Sequence, residues 1–186
     1  MRTFFSLNIP VKIFLLVEFK NKLKFNILID LSGKSFDDYV LTYLTFWVNK
    51  QETEYICGVL SVNIQGFPIE YRFTEPIVLD EAQKIFYGGS LKKYLISKVI
   101  GNKLINSLED SPDFILVEDK EVQVIRDMVD IPVIWLESND EETPSVYGDQ
   151  DDVSAFNKIP KTLIQMDLFE PFLRLKNAIY YSITNE

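Results

Sequence analysis

The sequence predicts a mixed α/β (α+β) fold: a mixed sheet made of two antiparallel hairpins and one parallel βαβ unit, covered by about four helices. Three observations carry that expectation. Alternation within Val11–Leu31 and Tyr55–Thr74 marks strands with one strongly apolar face. Two short, almost wholly apolar runs further on have the composition of strands buried on both faces. Around them, apolar residues recur at helical spacing.

Val11 to Lys20 alternates, with Val11, Ile13, Leu15, Val17 and Phe19 on one face, and Leu23 to Leu31 repeats the pattern after Asn21 and Lys22, giving a first hairpin. From Ser35 to Val48, the residues Phe36, Tyr39, Val40, Tyr43, Leu44 and Trp47 have helical spacing. Ser35 stands as N-cap, and Asp37 and Asp38 lie in the first turn, where the helix dipole favours them. This predicts a helix on the first hairpin. A second hairpin joins Tyr55–Ile64 to Pro68–Thr74 through Gln65 and Gly66, with its prolines where a strand tolerates them. Leu79 to Leu108 reads as a helix bent at Gly88 and Gly89, apolar around most of its circumference from Leu91 onward.

Phe114–Val117 and Pro132–Leu136 flank a short helix around Glu121 to Met128, which predicts a parallel βαβ unit with a right-handed crossover. An acidic surface loop is expected over 137–160, a short edge strand over Lys161–Gln165, and a C-terminal helix over 166–183. In that helix Asp167 and Glu170 have capping-box spacing, and Leu168, Phe172, Leu175, Ile179 and Ile183 form one stripe.

A length of 186 residues favours one domain, 1–186, and 47% apolar with 25% charged residues excludes disordered and fibrous classes. Cys57 is the one cysteine, so no intramolecular disulfide can form, and its neighbours Ile56 and Val59 mark it as a small buried residue. The longest apolar run near the N-terminus, Ile13–Val17, is too short for a signal h-region or a membrane helix, so a cytoplasmic chain without membrane contact is expected. A formal charge of −9 argues against general nucleic-acid binding. The charge is unevenly spread: Lys84 to Lys103 holds five lysines and no carboxylate, and Glu137 to Asp152 holds seven carboxylates and no base. Such blocks fit a protein partner, or self-association in which the acidic loop of one copy meets the basic helix of another.

There is no histidine, which removes the commonest general base and every Ser-His or Cys-His nucleophilic arrangement. Neither a Walker-type phosphate loop nor a dinucleotide fingerprint occurs. The nearest candidate for anion binding is Gly88, Gly89, Ser90, Lys92 and Lys93, where a helix start with two lysines could receive phosphate; the same residues read as a helix bend with solvated lysines. Glu118, Asp119, Glu137 and Asp140 fall at or just beyond the carboxyl ends of the two parallel strands, the edge where open sheets bind ligands. Such hard oxygens could hold Mg or Mn for phosphoryl transfer, although acidic residues there also serve to return a chain to water. A hairpin, a long helix and a parallel strand loosely resembles a ribonuclease H-like nuclease, which needs a carboxylate inside its first strand; Val59 to Ile64 contains none. No family is assigned. The expectation is a non-catalytic protein-interaction or regulatory module, with a divalent-metal-dependent phosphoesterase or nuclease as the alternative.

Overall fold

Nine residues at the centre of the sheet decide the architecture. Val40–Val48 forms strand β2, where aromatic spacing predicts a helix. Val40, Thr42, Tyr43, Thr45, Phe46, Trp47 and Val48 are β-branched or aromatic, the types that pack well on a pleated surface. A central strand covered on both faces does not alternate between apolar and polar residues, so its periodicity does not separate it from a buried helix. The computed structural model describes residues 11–14, 35, 38–49, 53–139, 144–164 and 166–184.

The remaining strands are β1 (Val11–Phe14), β3 (Glu54–Asn63), β4 (Pro68–Thr74), β5 (Ile77–Val78), β6 (Phe114–Val117), β7 (Val133–Glu137) and β8 (Ser145–Tyr147). Among the described residues they join β2 in an eight-stranded mixed sheet of order β1-β4-β3-β2-β6-β7-β8, with β5 pairing the start of β3. The second hairpin is as expected. Its turn is fixed by Asn63, whose side-chain oxygen accepts from the Gln65 and Phe67 amides, and by Gly66 at φ 87°, a left-handed conformation glycine adopts without strain. Strand β1 pairs antiparallel with β4; the second strand of the expected first hairpin lies outside the described residues.

Strands β2, β6 and β7 run parallel, with Leu44 opposite Val117 and Val117 opposite Trp135. Alternation then assigns the faces. Leu44, Cys57, Val59, Ile115, Val117 and Val133 point to one layer, and Leu41, Tyr43, Ile56, Leu60, Leu116 and Ile134 point to the other. The first layer is the helical stretch of α1 (Glu81–Tyr87), a 3-10 turn Gly88–Ser90, α2 (Leu91–Leu95), a π-helical segment Ile96–Leu104 and a last 3-10 turn. It bends where expected, at Gly88, whose φ is 46°. The crossover between β6 and β7, Lys120–Met128, is 3-10 helix and packs on the same face. The second layer is α4 (Glu170–Thr184), seated so closely over β3 that a Cβ on Gly58 would lie 2.7 Å from Ile179 Cδ1.

Two expectations for the C-terminal third are corrected. The stretch 137–160 contains β8, antiparallel to β7, and helix α3 (Gln150–Phe156). Its acidity conceals one structural carboxylate. Asp152 is buried, accepts from the Val133 amide at 3.0 Å and from Arg126 Nε at 2.7 Å, and so clamps α3 to the sheet. Residues 161–163 make a turn closed by the Leu163 amide on the Pro160 carbonyl, where an edge strand was expected. Cys57 is fully buried, and burial pushes its thiol pKa far up, which leaves it unreactive. Among the described residues no helix is long and apolar enough to cross a membrane.

Candidate functional site

The carboxyl edge of the β2–β6 pair is where charged side chains from four elements meet. Strand β6 is fully buried up to Val117, and the chain then emerges into solvent at Glu118 and Asp119. Because successive residues of a strand alternate, these two carboxylates leave it toward opposite layers. Glu118 turns toward α4, where Lys176 Nζ donates to Oε2 at 2.7 Å and the Thr45 hydroxyl donates to Oε1 at 3.2 Å. Asp119 turns toward α2, where Lys92 Nζ donates to Oδ2 at 2.8 Å. Lys92 also pairs with Glu121 at 2.5 Å, and the Glu121 amide donates to Asp119 Oδ1, which caps the 3-10 segment.

Lys92 is balanced between opposing influences. Its partial burial penalises the ammonium, but hydrogen bonds and charge from Asp119 and Glu121 outweigh that, so its pKa lies above the ordinary lysine value. Three carboxylates, Glu118, Asp119 and Glu121, face two ammonium groups, Lys92 and Lys176, so the edge carries one net negative charge. Thr45, Phe46, Glu118, Asp119, Val122 and Lys176 line a cavity of about 210 Å³ between them.

The carboxylates expected to act together are divided. Glu118 and Asp119 share that cavity; Glu137 sits exposed at the end of β7 and does not line it; Asp140 lies outside the described residues. Among the described residues no three His, Cys, Asp or Glu side chains are grouped to hold a metal ion. The donor set therefore does not fit an all-protein cage. Of those described, only Glu118 and Asp119 line one cavity, and each is held there by a lysine. The Gly88–Ser90 turn is helical, with the Ser90 hydroxyl donating to the Tyr87 carbonyl at 2.6 Å rather than capping α2; Lys92 is engaged at the edge and Lys93 is exposed.

Three members of the cluster are absent from the sequence-based candidates. Thr45 is hidden by reading β2 as a helix. Glu121 reads as ordinary helix-start charge. Lys176 lies off the apolar stripe of α4, where a solvated lysine is the default, and nothing in its spacing singles it out.

No protein-family model and no curated protein matches the chain. Similar solved structures are of endonuclease V. The protein from Bacillus subtilis shares 15% identity at a TM-score of 0.37, over 56% of this chain and 46% of its own. Two structures of endonuclease V from Ciona intestinalis, in complex with a 23mer and a 24mer DNA containing an inosine followed by a ribo-adenosine, each share 11% identity. Their TM-scores are 0.31 and 0.32, over 73% of this chain and 61% and 62% of theirs. This chain thus spans less than two thirds of the length of each. Two of the three hold DNA, which corrects the expectation, drawn from net charge, that nucleic-acid binding is disfavoured. A charge summed over a whole chain does not report where individual cations stand, such as Lys92 and Lys176 at this edge.

Proposed function

We propose that the carboxyl edge of the β2–β6 pair binds a phosphodiester and that the chain is a divalent-metal-dependent phosphoesterase or nuclease. The observation that carries this reading is the meeting of Glu118, Asp119 and Lys176 at one cavity on the carboxyl edge of an open sheet, with Lys92 paired to Asp119 beside it. A phosphate entering there competes for both ammonium groups, because its oxygens accept the same charge-assisted bonds as the carboxylates do. Drawing Lys92 and Lys176 onto the phosphate releases Asp119 and Glu118. Those two oxygen donors are the residues that would hold Mg²⁺ or Mn²⁺, and a bound ion would polarise the phosphoryl oxygen. Thr45 positions Glu118 through its hydroxyl. With the sole cysteine buried and reduced, a cytoplasmic setting suits this role.

The test is cleavage of single- and double-stranded DNA and RNA with Mg²⁺ or Mn²⁺, repeated with Glu118→Gln. Metal-dependent cleavage that falls by about 100-fold or more in the variant, the several kcal/mol a bound ion contributes, supports the proposal. It fails if no substrate is cut, or if the variant cuts as fast as the parent. A second reading, a non-catalytic binding module, is favoured by one feature: Lys92 and Lys176 each close an ion pair with a strand-end carboxylate. Nucleic-acid binding with no cleavage would select it.

A further inference from the structure

Beside this edge lies a second recess that the phosphodiester reading does not use. Trp135 of β7 and Tyr147 of β8 stand directly opposite in antiparallel register, their rings stacked with centroids 4.6 Å apart and 28° between planes. They floor an open cavity of about 440 Å³ whose rim carries Lys120, Gln123 and Gln150. Tyr147 is 42% exposed although it belongs to a stacked aromatic pair, and Lys120 Nζ stands 5.4 Å from the Trp135 ring centroid. Among the described residues no carboxylate lines the recess. A flat apolar floor, two amides able both to donate and to accept, and one cation describe a site for an aromatic heterocycle that carries negative charge.

Position adds to chemistry. Trp135 points to the same layer as Val117, its partner in β6, and Asp119 lies two residues beyond that partner. The recess is therefore displaced from the candidate phosphodiester site by one strand spacing and two strand positions, roughly 5 Å and 7 Å. Lys120, which follows Asp119 in sequence, links the two.

We propose that the Trp135–Tyr147 recess is a stacking subsite for an unpaired base of a single-stranded nucleic acid whose backbone runs over the Glu118–Asp119 edge. The proposal rests on the reading of that edge as a phosphodiester site and specifies its substrate as a strand with unstacked bases. The base stacks on the exposed Tyr147 face, Gln123 and Gln150 bond its polar edge, and Lys120 turns from the Trp135 ring to the adjoining phosphate.

The sequence has two tryptophans, so Trp47→Phe leaves Trp135 as a built-in fluorescent reporter. This protein is titrated, without divalent ions, with a mixed-sequence single-stranded octanucleotide, an abasic strand of equal length and a mononucleotide. Saturable quenching by the octanucleotide is expected, with the abasic strand and the mononucleotide both weaker. Tyr147→Leu, which keeps cross-strand packing but removes the stacking face, weakens octanucleotide binding by about 5- to 150-fold. Lys120→Met, away from the β7–β8 pairing, flattens the salt dependence. Equal quenching by the abasic strand, a mononucleotide as tight as the octanucleotide, or an unchanged Kd in Tyr147→Leu overturns the subsite. The two proposals fail separately. Cleavage without quenching leaves the edge reading and removes the subsite, whereas quenching without cleavage keeps the edge and the subsite as a binding surface and removes the catalytic part of the reading.

Discussion

Two clusters of ion pairs in this protein differ in how much water reaches them. On β4, the Arg72 guanidinium pairs with Glu70, with side-chain exposures of 4% and 8%, and the other Glu70 oxygen accepts the Glu109 amide at 3.0 Å. At the edge of β6, by contrast, Lys92, Asp119, Lys176 and Glu118 are 34%, 42%, 44% and 25% exposed. The chemistry is the same, but the consequences are opposite. A buried pair is locked because removing either charge strands the other in a medium that cannot solvate it. A half-exposed pair has water as an alternative partner at little cost, so a ligand can take either half. Exchangeability distinguishes a candidate site from a structural strut.

The most direct way to break this comparison is to strand the buried charge. Arg72→Met leaves Glu70 without its cation and is expected to cost about 3–5 kcal/mol in urea unfolding. Replacing both partners, as Arg72→Met with Glu70→Gln, should recover much of that loss, because no buried charge then remains unpaired and Glu109, which also pairs with Arg72, is exposed to water. A single-variant loss below about 1 kcal/mol would place the β4 pair in the same class as the edge pairs.

Asp152 lies between these extremes and sharpens the contrast. Its side chain is 4% exposed while its partner Arg126 is 31% exposed. Asp152→Ala leaves the buried Val133 amide without its acceptor and frees Arg126 to turn to solvent, so a loss of about 2–3 kcal/mol is expected, measured the same way. A loss equal to that of Arg72→Met would mean that burial of one partner alone sets the cost.

The same distinction governs what could be read from sequence. The second hairpin, the helix bent at Gly88 and the parallel βαβ unit were legible because local chemistry specifies them: Asn63-Gln65-Gly66 makes a turn, Gly88 permits a positive φ, and Phe114–Val117 is apolar without interruption. Strand β2 was not, since a strand buried on both faces loses the period of two that identifies it. Asp152 shows the complementary failure, for its burial depends on Arg126 and the Val133 amide, 26 and 19 residues away. Of the candidate site, Glu118 and Asp119 follow from the βαβ pattern, whereas Thr45 and Lys176 reach Glu118 across 73 and 58 residues, a pairing that only the tertiary fold creates.

The smallest effect is expected at the edge itself, where its pH dependence is the informative part. Lys92→Met keeps an apolar stem, close to that which places Lys92 Nζ 5.9 Å from the Phe46 ring centre, and removes the charge held by Asp119 and Glu121. With a third of its surface in water, the pair should contribute less than about 1 kcal/mol at neutral pH. The sign follows from the raised pKa: a lysine that holds its proton more tightly when folded adds stability below its unfolded pKa of about 10.4, and that stability is lost as pH rises through the higher folded value. Thermal melts of the parent and of Lys92→Met from pH 7 to pH 12 should therefore converge only at the alkaline end. A gap that is constant across the range would mean that the variant acts through packing on Phe46. Asp119 would then have its ammonium partner without any measurable energetic tie, and the edge would be more open to a competing ligand than the geometry alone implies.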